Sequence, residues 1–143
     1  MAIRTAEAEW RGTLAKGEGD MKLGSGAFTG RYSFESRFEK GAGTNPEELI
    51  AAAHAGCFSM ALAARLERAG FTVKRVHTTA RTHIDKSSDG FRITRIELDT
   101  EAEVPGIEDA RFQDQAEATG RDCPVSRVLA GADIILNARL NPR

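Results

Sequence analysis

A long α-helix is the strongest structural prediction that this sequence allows. Asn45 can cap the first turn, Pro46 suits the first helical position, and Glu47 places negative charge at the positive end of the helix dipole. Gly70 suits the position that follows the last turn. These signals predict a helix over about residues 46–69, which would be roughly 36 Å long.

The composition of this helix limits what can surround it. Apolar side chains occur on all of its sides, so we expect most of its surface to be covered and the helix to be the central element of the fold. Many of its residues are small enough for another helix or a sheet to approach closely: Ala51, Ala52, Ala53, Ala55, Gly56, Ala61, Ala63 and Ala64. Such packing often joins like helices of two subunits.

The first 38 residues carry the signals of β-strands, because glycine recurs between short runs of alternating side chains. In the run from Tyr32 to Phe38, the three aromatic side chains share one face of an extended chain and Arg37 points to the other. We expect a small antiparallel sheet here, with Arg37 at the end of its last strand.

A hairpin is predicted after the long helix. Residues 73–85 and 91–104 have strand patterns, and the Ser, Asp and Gly between them suit a tight turn. The second strand changes phase between Ile93 and Ile96, which a β-bulge would reconcile.

The C-terminal part adds two helices and a strand. An amphipathic helix over residues 107–119 is expected to end at Gly120, a short helix to begin at a cap formed by Asp122, and residues 134–140 to form the last strand. The predicted order is β-β-β-α-β-β-α-α-β. This order indicates a single domain over residues 1–143 with an α+β fold of mainly antiparallel sheets.

Composition and charge limit the partners. Lys and Arg number 20 against 21 Asp and Glu, so a net charge of −1 provides no basic field for nucleic acid. The longest uncharged stretch, residues 49–64, is shorter than the ~20 residues that span a bilayer. The first residues lack the apolar run of a secretion signal. We expect a cytoplasmic protein that binds neither nucleic acid nor membrane.

The two cysteines have different surroundings. Cys57 lies in the middle of the predicted helix, where a buried thiol has a raised pKa and is inert, and this favours a core role. Cys123 precedes Pro124 at the start of a short helix, where free N–H groups favour a thiolate, although a small core residue fits there equally well. A reducing compartment disfavours a permanent disulfide, so core packing and chemistry both remain open.

No metal or cofactor site is predicted. Neither the histidines nor the cysteines have the spacing of a zinc site, and no nucleotide-binding or serine-hydrolase motif is present. His54 lies three residues before Cys57, where it could contact the sulfur or form a hydrogen bond within the core. The core interpretation is favoured.

Three motifs occur together in this chain. They are Arg37-Phe38-Glu39, the run GTNPEELIAAAHAGCFSM from Gly43 to Met60, and Cys123-Pro124-Val125-Ser126. Their combination resembles the OsmC/Ohr family, on its OsmC branch. The resemblance extends to Trp10-Arg11-Gly12, Ala69-Gly70-Phe71 and Glu103-Val104-Pro105-Gly106-Ile107, and so covers nearly the whole chain.

The resemblance implies a thiol-dependent peroxidase that prefers organic hydroperoxides. It implies that Cys57 is the peroxidatic cysteine, that Cys123 is the resolving cysteine, and that Arg37 and Glu47 activate the thiolate; the other branch takes its arginine from nearer the N-terminus. It implies no bound cofactor, since a lipoylated protein or similar external dithiol regenerates the enzyme. It also implies an intertwined α+β homodimer with two active sites at the interface.

Two other functions would use the same residues. The cysteine pair could act as a redox sensor or binding protein without useful turnover, or both cysteines could be core residues of an inactive relative.

Helix geometry sets a condition on the active site. Glu47 and Cys57 are ten residues apart on the predicted helix, which separates them by roughly 15 Å along its axis. One arginine can hardly bridge that distance. An arginine that touches both residues requires either a break in the helix or a Glu47 from elsewhere. We expect the second: two copies of the helix would pack antiparallel, so that Glu47 of one subunit approaches Cys57 of its partner.

Overall fold

The computed structural model describes residues 1–141, and the chain forms two compact units. The first unit comprises residues 1–49, and the second begins at Ile50. Each unit has its own three-stranded sheet.

The first unit contains an antiparallel sheet. Its strands pair in sequence order and are β1 (Ala6–Arg11), β2 (Glu18–Leu23) and β3 (Thr29–Tyr32). The rings of Trp10 and Tyr32 contact each other across β2, with their centroids 5.3 Å apart. Gly19 lies between them, and a Cβ there would come within 2.9 Å of both rings. A glycine at this position therefore allows the two aromatic side chains to meet.

The segment after β3 forms a helix, so the predicted strand was wrong. Helix α1 spans Phe34–Phe38 and begins with a capping box: the Ser36 N–H donates to Ser33 Oγ at 3.2 Å, and the Ser33 N–H donates to Ser36 Oγ at 2.8 Å. Two phenylalanines four residues apart share a face in a strand and also in a helix, so their spacing could not separate the two structures. Arg37 lies in the last turn of α1.

The long helix is confirmed. Helix α2 spans Pro46–Arg68, and the Glu48 N–H donates to Asn45 Oδ1 at 2.7 Å, which is the predicted cap. Gly70 has a φ of +95°, the left-handed conformation that commonly follows the end of a helix. By length and composition alone α2 could cross a membrane, but the core helices of many soluble proteins pass the same test.

The second unit contains the other sheet, with strands β4 (Arg75–Ser87), β5 (Gly90–Glu103) and β6 (Asp133–Asn141). Strands β4 and β5 form the predicted hairpin, and β6 pairs with β5 in parallel. The predicted bulge is confirmed: Ile84 pairs with Ile93 and His83 with Arg95, which leaves Thr94 as the extra residue.

Two helices, α3 (Asp109–Asp122) and α4 (Pro124–Val128), connect β5 to β6. The prediction that Gly120 ends the first of them was wrong, because Gly120 lies within α3. A Cβ on Gly120 would be 3.4 Å from the Leu136 side chain, so the glycine permits close packing of α3 on β6. A glycine inside a helix costs only about 1 kcal/mol, which such packing can offset. Asp122 is the last residue of α3 rather than a cap.

The hydrophobic core of the second unit is built on one stripe of α2. Phe58, Leu62 and Leu66 follow one another at four-residue spacing, and all three are fully buried. They belong to one cluster with residues of β5 and α3, among them Ile96, Leu98, Phe112 and Ala116. The predicted α+β class is confirmed. The structure differs from the prediction in the additional helix α1, and one pair of strands, β5 and β6, is parallel.

Candidate active site

Cys57 and Cys123 lie next to each other in the second unit, and both are free thiols. Cys57 is half-buried on α2, whereas Cys123 is buried where α3 ends and α4 begins. Burial raises the pKa of Cys57, the backbone N–H of Val125 opposes this rise, and hydrogen bonding and charge repulsion from the Cys123 thiol add to it. The fold thus brings together two sulfurs that are far apart in sequence.

Cys123 caps helix α4. Its Sγ accepts a hydrogen bond from the Ser126 N–H at 3.3 Å, and Pro124 occupies the first helical position. The sequence placed Cys123 in the first turn, and the structure places it one position earlier, at the cap. One helical N–H, that of Ser126, still faces the sulfur.

His54 is fully buried and forms a hydrogen bond within the core, as the favoured interpretation stated. Its Nε2 lies 2.7 Å from Ser126 Oγ. Burial lowers the pKa of His54, so the imidazole is neutral at pH 7. Sequence reasoning quoted Ser126 only as part of a motif and missed its contacts. The available signal was its position three residues after a helix cap, where a backbone N–H faces the capping atom.

Arg37 and Glu47 form an ion pair in the first unit. The Arg37 Nη2 donates to Glu47 Oε1 at 2.8 Å, and Nε donates to the same oxygen at 3.1 Å. The Glu47 side chain is only 7% exposed, against 35% for Arg37. The guanidinium also lies 5.1 Å from the ring centroid of Phe38. The pair predicted from the resemblance is therefore assembled within one chain.

An aromatic cleft of about 430 Å³ includes Arg37 in its wall. Its other lining residues also belong to the first unit: Trp10, Gly12, Leu14, Tyr32, Ser33, Phe34 and Phe38. The cleft therefore combines apolar surface with one fixed cation.

The apolar residues that follow Cys57 on α2 have different environments. Phe58 is fully buried in the core, whereas Met60 is 78% exposed.

Among residues 1–141, no group of three or more His, Cys, Asp or Glu side chains is placed to hold a metal ion.

A close relative indicates the general activity. The chain is 45% identical over 138 residues to the peroxiredoxin OsmC of Escherichia coli strain K12, and the match covers 96% of each protein. This similarity supports a peroxidase-type function, that of an oxidoreductase.

Solved structures share the fold. The organic hydroperoxide resistance protein OhrB of Bacillus subtilis superposes with a TM-score of 0.67 at 22% identity, over 96% of this chain and 98% of that one. An OsmC-like protein of unknown function from Vibrio cholerae gives 0.75 at 14% identity, over 96% and 99%. Residues 39–137 match the family described as OsmC-like protein. The chain therefore belongs to the OsmC family.

Proposed function

We propose that this chain reduces organic hydroperoxides to alcohols, with Cys57 as the peroxidatic cysteine and Cys123 as the resolving one. The observation that carries the proposal is the proximity of the two thiols, since the Cys123 thiol contacts Cys57 closely enough to raise its pKa. Two neighbouring free thiols suit a cycle of oxidation and reduction better than a static core.

The reaction has three steps. The Cys57 thiolate attacks the outer oxygen of the peroxide, the O–O bond breaks, and the alkoxide takes a proton to leave as an alcohol while Cys57 becomes a sulfenic acid. Cys123 then attacks the Cys57 sulfur, so that a disulfide forms and water leaves. An external dithiol, such as a lipoylated protein, reduces the disulfide by exchange. The cycle needs no bound cofactor and can run in the reducing cytoplasm.

The raised pKa of Cys57 gives Arg37 its proposed role. A thiol with a raised pKa is mostly protonated at neutral pH, and a nearby guanidinium favours the thiolate and can also donate to a peroxide oxygen. Glu47 uses two donors of Arg37 and thereby fixes the direction of the rest of the guanidinium.

Homodimer formation would bring Arg37 to a sulfur. Glu47 begins α2 and Cys57 lies ten residues along the same continuous helix, which corresponds to roughly 15 Å. An arginine held by Glu47 therefore suits the Cys57 of a second copy. The exposed stripe of small and apolar residues at Ala52, Gly56 and Met60 on α2 supports close packing between two such helices.

The aromatic cleft supports a preference for organic substrates. An alkyl or aryl group that enters it leaves water, at about 0.8 kcal/mol per buried CH₂, while the peroxide group can face Arg37. Hydrogen peroxide has no such group. Burial of two or three carbons would give roughly ten- to a hundredfold selectivity.

A steady-state assay tests this function. Consumption of cumene or tert-butyl hydroperoxide should be sustained with dihydrolipoamide. The kcat/KM for either organic hydroperoxide should exceed that for hydrogen peroxide by about one to two orders of magnitude. Equal kcat/KM values would refute the organic preference. Oxidation that stops after one equivalent per site, even with excess dithiol, would favour the redox sensor instead.

A further inference from the structure

Three buried side chains form a continuous hydrogen-bonded row that ends at the resolving cysteine. The Cys123 Sγ lies 3.1 Å from Ser126 Oγ, and that oxygen lies 2.7 Å from His54 Nε2. All three residues are at most 2% exposed. Ser126 therefore contacts a sulfur and an imidazole at the same time, with little access for water.

The contacts agree with one direction of hydrogen bonding. The Cys123 thiol donates to Ser126 Oγ, and the Ser126 hydroxyl can then donate to His54 Nε2. A neutral imidazole has one nitrogen that accepts a hydrogen bond, whereas a protonated imidazole has none. Since burial keeps His54 neutral at pH 7, the row can end on an acceptor.

The surroundings of His54 argue against a purely structural role. Its Nδ1 is buried without a hydrogen-bond partner among the described residues. Leaving a buried polar atom unpaired is costly, and an apolar residue of similar size would avoid that cost. His54 also lies on the same buried stripe of α2 as the wholly apolar Phe58, Leu62 and Leu66.

We propose that Ser126 and His54 form a proton relay that activates Cys123 for attack on the Cys57 sulfenic acid. The Cys123 S–H proton passes to Ser126 Oγ while the Ser126 hydroxyl proton passes to His54 Nε2. The thiolate then forms the S–S bond as the Cys57 S–O bond breaks. The proton held by His54 then returns through Ser126 to the leaving hydroxide, which departs as water, so the net products are the disulfide and one water molecule.

This relay rests on the proposed peroxidase cycle and concerns only its second step. Ser126 contacts the reacting sulfur and is the catalytic residue of the pair. His54 acts through Ser126 and is a positioning residue with an added role as proton acceptor. The Ser126 N–H donates to Cys123 Sγ at 3.3 Å and can keep this hydrogen bond after the proton has left.

A single-turnover experiment on the full chain tests the relay. Reduced protein is mixed with one equivalent of tert-butyl hydroperoxide, quenched at intervals with acid, and analysed by mass spectrometry. Gain of one oxygen reports sulfenic acid at Cys57, and loss of two hydrogens reports the disulfide. The variants are His54→Gln, which can keep a hydrogen bond to Ser126 but cannot accept its proton, and Ser126→Ala, which breaks the row.

Both variants should oxidise Cys57 at the wild-type rate but close the disulfide about ten- to a hundredfold more slowly, so that sulfenic acid accumulates. Ser126→Thr, which restores a hydroxyl, should recover much of the closure rate lost in Ser126→Ala. Thr100→Val is the matched control, because it removes another buried hydroxyl, one that bonds Thr78 and the His77 carbonyl. It should leave both steps unchanged.

Wild-type closure rates in both His54→Gln and Ser126→Ala would overturn the relay. Equal slowing of oxidation and closure would also overturn it, because it would indicate a structural role. If the wild-type protein forms neither the sulfenic acid nor the disulfide, the proposed function fails and the relay fails with it. Oxidation of the wild-type protein thus distinguishes failure of the proposed function from failure of the relay alone.

Discussion

Arg37 holds Glu47 through two donors, Nε and Nη2, and the carboxylate that receives them is nearly inaccessible to solvent. The arginine comes from a five-residue helix and the glutamate from the first turn of the long one. Among residues 1–141, the hydrogen bonds of Arg37 use Nε and Nη2 and leave Nη1 without one, and in the proposed cycle Nη1 would donate to the sulfur or to a peroxide oxygen.

Replacement of Arg37 by Lys should lower kcat/KM for tert-butyl hydroperoxide by about ten- to a hundredfold. A lysine keeps the charge but cannot bind the carboxylate with a planar pair of donors, and hydrogen bonds to charged groups contribute about 1.5–3 kcal/mol. Steady-state kinetics with dihydrolipoamide measure the effect.

Arg31→Lys is the matched control. Arg31 pairs with Glu18 in the same unit, but its side chain is 70% exposed, and exposed pairs contribute little. Its kcat/KM should stay within about twofold of wild type. A similar loss in both variants would mean that Arg37 has no specific role.

The two cysteines should fail in different ways. Cys57→Ser should abolish peroxide reduction, because it removes the nucleophile. Cys123→Ser should consume about one equivalent of peroxide per site and then stall or over-oxidise, because the sulfenic acid has no partner thiol. Peroxide consumption and intact mass after stoichiometric addition distinguish the two cases. Full turnover by Cys57→Ser would falsify the central claim.

Mixed subunits should reveal a site shared between two copies. A heterodimer of a Cys57→Ser chain and a Glu47→Ala chain should contain about one working site, since an intact Arg37–Glu47 pair faces an intact cysteine across the interface. Differently tagged chains, co-expressed and purified through both tags, provide this species for kinetic assay.

The reverse combination is the control. A wild-type chain paired with a chain that carries both substitutions should be inactive if the site is shared, and half active if each chain holds its own site. Activity of the reverse pair, or a fully active monomer in sedimentation, would contradict the dimer proposal.

Stability should depend on His54 at low pH. Burial lowers the pKa of His54 in the folded chain, so below its ordinary value of 6.5 the unfolded chain binds the proton more readily. The stability of the folded chain with a neutral His54 is therefore fully present above about pH 6.5, and part of it is lost as the pH falls towards the pKa of His54 in the folded chain. Urea unfolding of wild type and His54→Gln between pH 5 and 8 measures it. The wild type should lose more stability on acidification, and parallel curves would refute the effect.

Local signals in the sequence were sufficient for much of the fold. Three of these signals each depend on residues only a few positions apart: the cap at Asn45, the glycine after α2, and the bulge near Thr94. The segment after β3 shows where such signals fail, because its two phenylalanines suit either period. The reciprocal Ser33–Ser36 capping box distinguishes the helix from a strand.

By itself, the sequence determined the long helix and the hairpin, because these follow from local patterns, whereas the roles of the four site residues rest on a resemblance and stay predictions. Only the tertiary structure decided which of them meet. Ser126 and His54 are 72 residues apart, and nothing local predicts their hydrogen bond. It exists because the apolar stripe of α2 and the helices that follow β5 share one core, and packing of that core fixes which buried polar groups face each other.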